Sequence, residues 1–115
     1  MPEEKKTNLP KGITAEMIVS AKAKHGDDKV KLMELIPEDA TKDKLTVLAC
    51  APSRKVIGQY RRFIDADPMK ADEIIVKACV LSHKETVLAD DALFNGAKLG
   101  ILQMMPVCEA VIKNL

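Results

Sequence analysis

KVKLMELIPEDATKDKLTVLACA, residues 29 to 51, decides the fold class. Its first part alternates imperfectly, with Val30, Leu32 and Ile36 facing one way and Lys29, Lys31, Met33 and Leu35 the other, as in a strand. Pro37 to Lys44 is polar and reads as a loop. Leu45 to Ala51 then brings Thr, Val and Leu together in a second apolar run that Pro52 ends. The two runs predict a β-hairpin with a long connection. An isolated two-stranded ribbon is marginal in water, so the rest of the chain must cover it.

The flanking sequence offers helices for that task. Thr14 stands as an N-cap before Ala15, Met17, Ile18 and Ala21, and Gly26 marks a stop, which predicts a first helix to His25. Ser53 caps a second, in which Val56, Ile57, Tyr60, Phe63 and Ile64 repeat at helical spacing. Asp67-Pro68 closes that pattern and opens a third helix running to about Leu81. Its polar positions Lys70, Glu73 and Lys77 share one narrow arc, which marks it as the central, largely buried helix. Ser82 to Ala89 reads as a connection, and Asp90 or Asp91 caps a last helical segment running to the C-terminus.

In that last segment Phe94, Ala97, Ile101, Met104, Cys108, Val111 and Leu115 are spaced 3, 4, 3, 4, 3, 4, so one apolar seam passes through Pro106. Pro106 removes the bond to the Leu102 carbonyl, which predicts either a kink or a second helix in register. The expected architecture is α+β: a hairpin of residues 29–36 and 45–51 packed against about four helices, with a mainly helical C-terminal half. Residues 1–12, with Pro2, Pro10, Gly12 and a Glu-Glu-Lys-Lys run, read as a flexible arm before a single domain over 13–115.

Composition narrows the function. Of 115 residues, 47% are hydrophobic and 30% charged, a balance that suits a globular domain. Eighteen Lys and Arg against seventeen Asp and Glu leave a formal charge of +1, too small a field to recruit nucleic acid or anionic lipid by charge alone. Three aromatic residues, Tyr60, Phe63 and Phe94, offer few platforms for base stacking. The first twelve residues contain no apolar run that could act as a signal core or anchor. Together with an odd set of three cysteines and no CxxC pair, this predicts a cytoplasmic protein with reduced thiols. Cys50, Cys79 and Cys108 each lie in an apolar run, where a thiol is expected to be buried and inert.

Possible chemical sites are few. Arg54, Lys55, Arg61 and Arg62 in the basic helix 53–66 could meet phosphates, but they flank the apolar face on both sides, and Asp65 is placed to pair with Arg61. Cys79 and His83 have the i, i+4 spacing of two metal ligands, provided the third helix extends that far; two ligands do not make a site. The five glycines are scattered and no Gly-Lys-Ser/Thr occurs, so no phosphate loop is predicted. Gly96 and Gly100 form GxxxG, which permits close approach of another helix. The expectation is therefore no enzyme, no catalytic residue, no cofactor and no metal. The seam residues Phe94, Ile101, Met104, Met105, Val111 and Leu115 are the expected protein-binding surface, since one small domain does not cover every side of so apolar a segment.

The order of segments, a polar arm, a helix ending AKAKHG, a hairpin, then APSRKVIGQYRRF, DADPMKADEIIVKACVL and ADDALFNGAKL, resembles small tailed-phage and prophage proteins of the tail-assembly-chaperone type. The likeness runs from about Lys22 to Leu115. It implies a non-enzymatic protein of the bacterial host cytoplasm that shields apolar helices of a tail protein such as a tape-measure protein. Self-association is a second possible use of the same surface. Membranes are not expected as partners and nucleic acid is disfavoured; the alternative function is a small nucleic-acid-associated regulator using helix 53–66.

Overall fold

Val47, Leu48, Ala49 and Cys50 are all buried, so the strand Leu45–Cys50 (β2) is the one around which the molecule is arranged. In the computed structural model, which describes residues 9–115, β2 pairs antiparallel with Val30–Leu35 (β1), Leu48 lying opposite Leu32 and Val47 opposite Met33. Five helices among the described residues complete an α+β fold: Ala15–His25 (α1), Arg54–Phe63 (α2), Pro68–Cys79 (α3), Lys84–Ala89 (α4) and Asp91–Gln103 (α5).

Side-chain caps set four of the helix starts. Thr14, Ser53, Asp67 and Asp90 each accept a hydrogen bond from the backbone N–H three residues on, and Pro68 occupies the first turn of α3 where no N–H is needed. Gly26 ends α1 at φ +106°, and its own N–H reaches the Lys22 carbonyl at 2.9 Å. Ala71, Ile75, Val76 and Cys79 of α3 are buried, as expected of the central helix.

The hairpin is covered chiefly by the first and last helices, whereas α2 packs on α3 and α3 on α5. Gly96 and Gly100 are what bring α5 onto β1. A methyl group on Gly96 would lie 3.6 Å from Leu35 Cδ2, and one on Gly100 would overlap the Met33 sulfur. The small-residue motif thus serves a helix against a strand of the same chain.

Beyond Cys79 the backbone turns extended and runs beside β2. Val80 bridges Ala49, the Leu81 N–H donates to the Leu48 carbonyl at 2.7 Å, and the Leu48 N–H donates to Ser82 Oγ at 2.8 Å. Ser82 is buried, and its hydroxyl stands where the next strand carbonyl would be. The outer edge of β2 is therefore closed by three residues and one side chain.

Two expectations need correction. Lys84–Ala89 is helical rather than a plain connection; it begins from His83 at φ +55°, with no side-chain cap, so the usual start signal is missing. The last helix stops at Gln103, and residues 105–115 are irregular and outside any helix. Pro106 supplies no N–H and crowds the preceding residue out of helical geometry, so the seam does not continue as helix. Of the arm, residues 1–8 lie outside the described residues. Pro10 accepts a turn bond from the Ile13 N–H at 3.1 Å, and Ile13 is buried.

Candidate functional site

The end of α5 divides the expected binding surface. Ile101 is fully buried and belongs to the core, a correction to its expected place on a docking face. Phe94 is half-buried and lines a hollow of about 360 Å³ between α3, α4 and α5, with Met69 and Leu88 beside it and Asp72 and Asp91 at its rim. Met104 sits in a different hollow, of about 510 Å³, together with Lys31, Leu32 and Met33 of β1. Met105 is half-buried in a third, of about 380 Å³, against Pro52, Ile57 and Arg61. Val111 and Leu115 lie on the irregular segment beyond. The six residues therefore do not form one continuous face, because the helix that would have aligned them ends at Gln103.

That segment carries the three most exposed large apolar side chains among the described residues, Val107, Ile112 and Leu115, with Val111 exposed between them. Val107 is 86%, Val111 68% and Ile112 89% accessible, and Leu115 is fully exposed. A large apolar group left in water forgoes roughly 1.5–3 kcal/mol that burial would recover.

The basic helix presents Arg54, Lys55, Arg61 and Arg62 to solvent. None of the four has an ion pair among the described residues, so the expected Arg61–Asp65 pair is not formed. Arg54 and Arg61 share the hollow of Met105 with Lys29, and no carboxylate lines it. The nearest cation–aromatic contact is Lys70 Nζ, 4.4 Å above the Phe63 ring.

Cys79 and His83 are not on one helical face, because α3 ends at Cys79 and His83 follows an extended turn. The His83 Nδ1 lies 2.9 Å from Ser82 Oγ, and its ring covers the Gly12 backbone. Cys79 and Cys50 are buried together between α3 and β2; the hydrogen bond they share, and then burial, push the Cys79 thiol above its ordinary range. Cys108 is exposed, a correction to the expectation that all three cysteines are buried in apolar runs. Among the described residues no cluster of three His, Cys, Asp or Glu side chains has the spacing to hold a metal ion.

No protein-family model, curated protein or solved structure matches the chain. Among the described residues no helix is long and apolar enough to cross a membrane.

Proposed function

We propose that this chain works by non-covalent binding rather than catalysis, shielding apolar helical segments of a phage or prophage tail protein, such as a tape-measure protein, in the cytoplasm of a bacterial host. The observation that carries the reading is the segment 107–115, whose Val107, Val111, Ile112 and Leu115 stand in water beside a well-packed domain. A client helix placed against them would bury surface on both partners. Met104 and Met105, half-buried at the root of the segment, add flexible side chains that adapt to more than one client sequence. The class of client comes from the resemblance to tail-assembly chaperones.

Co-expression with a tape-measure protein from the same genome tests this. The wild type is expected to keep the client soluble, and a Val111→Asp, Ile112→Asp double variant to lose that ability while melting, as dilute monomer, at the same temperature. A client that precipitates equally with the wild type overturns the reading.

A second reading has one observation in its favour: Lys29, Arg54 and Arg61 converge on one hollow with no acidic residue in it. A small nucleic-acid-associated regulator would use those cations on phosphates, and its binding would weaken steeply with salt, whereas apolar shielding would persist.

A further inference from the structure

The two edges of the sheet are finished differently. In the hairpin register the Lys29 carbonyl accepts the Ala51 N–H at 2.8 Å, so Lys31, Met33 and Leu35 spend their backbone groups on β2. Val30, Leu32 and Glu34 must then turn their N–H and C=O groups away from β2. On the far side of the sheet the corresponding groups of Leu48 are taken up by Leu81 and Ser82. On the β1 side no described residue pairs with them. Leu32 is also 49% accessible, and the hollow of about 510 Å³ formed with Gly100, Gln103 and Met104 runs along this edge. An open edge of this kind is a template for another strand.

The same chain carries a segment with the composition to fill it. VCEAVI, residues 107–112, is rich in β-branched residues, makes no backbone hydrogen bond with the described residues, and is six residues long, as β1 is. It holds one acid and no base, Glu109, while the edge offers Lys31; Glu34 on the same edge is already paired with Lys44 at 3.4 Å. Pro106 precedes it, so the chain leaves α5 already extended.

From these two halves we infer that residues 107–112 of one copy add as a strand to the open β1 edge of a second copy, each chain giving a strand and receiving one. Main-chain bonds to Leu32 and Glu34, the exposed part of the edge, supply the pairing, and Val107, Val111 or Ile112 would fill the hollow beside Met104. Reciprocal exchange closes as a symmetric dimer and leaves no free edge to propagate. The inference does not depend on a client, and its failure leaves the client reading standing.

Sedimentation of the full chain over a range of concentrations tests it, with two variants. Val111→Pro removes an N–H from the donated strand at an exposed position, and Leu32→Pro removes one from the receiving edge. The wild type is expected to reach twice the monomer mass, and each variant to remain a monomer. Mixed in equal amounts, the two variants are expected to associate one-sidedly, since one retains an intact edge and the other an intact strand. Glu34→Pro serves in place of Leu32→Pro if the latter fails to fold. A wild type that stays monomeric at every concentration, a dimer that survives Val111→Pro, or variants that do not associate when mixed would overturn the inference; the first of these is what a segment folded onto its own β1 would give.

Discussion

Ala97 and Ile101 are buried in the core, whereas Cys108, Val111 and Leu115 stand in solvent, although all five occupy one unbroken 3, 4 spacing. The difference is local backbone chemistry. Up to Gln103 each residue can donate an N–H to the turn before it; at Pro106 that donor is missing, and the helix has already ended. Periodicity shows which residues would share a face if the segment were helical. It does not supply the helix, nor a neighbouring surface for that face.

Chemical modification gives the sharpest contrast between the two stretches. In dilute monomeric protein Cys108 is expected to alkylate at the rate of a free thiol, while Cys50 and Cys79 wait for the core to open, slower on the order of a thousandfold or more for a domain of ordinary stability. Timed alkylation followed by mass spectrometry reads it, and three equal rates would show that β2 and α3 do not hold the buried pair closed. Stability comes next. In the same dilute monomer Ile101→Ala is expected to cost about 2–5 kcal/mol in denaturant unfolding, and Val111→Ala to change nothing beyond about 0.5 kcal/mol. Equal losses would mean that the segment beyond Pro106 is packed after all.

Ser82→Ala probes the closed edge of the sheet. It strands the buried Leu48 N–H, and a loss of about 1–3 kcal/mol is expected; an unchanged melting temperature would show that Ser82 does not seal that edge. The smallest effect belongs to the hairpin connection, where Asp39 accepts the Thr41 hydroxyl at 2.7 Å and the Thr41 N–H at 2.9 Å, which hold its carboxyl below the usual range. A group whose folded pKa is depressed stabilises above its unfolded value and loses that contribution as pH falls. A slight difference in melting between wild type and Asp39→Asn is therefore expected at pH 7 and should close below about pH 3.8; a difference that grows with acid would contradict this.

Much of the fold was legible because its signals are local. Thr14, Ser53, Asp67 and Asp90 announce their helices in the sequence, and the two apolar runs either side of Pro37–Lys44 announce the hairpin. The features that escaped reading depend on distant partners or on missing signals. Nothing around Ser82 states that its hydroxyl will meet a backbone N–H from β2, and α4 starts from a left-handed His83 that no capping rule marks. Gly96 and Gly100 suggested an approaching helix, whereas Leu35 and Met33 of β1 are what approach. Of the expected binding residues, Val111 and Leu115 are exposed, whereas Ile101 is buried in the core. Pro106 did carry the needed warning, against a seam whose regularity pointed the other way.

The bond between Leu48 and Ser82 also bears on the order of folding. The two residues are 34 positions apart, and the chain between them is α2 and α3. Closing that loop from the unfolded chain costs entropy that grows with its length, but a helical pair already packed against itself shortens the effective loop. The closure should therefore follow the α2–α3 pairing and be absent from the transition state. In rapid-mixing experiments Ser82→Ala would then speed unfolding and leave the folding rate nearly unchanged, so this hydroxyl would act chiefly on how long the folded chain lasts.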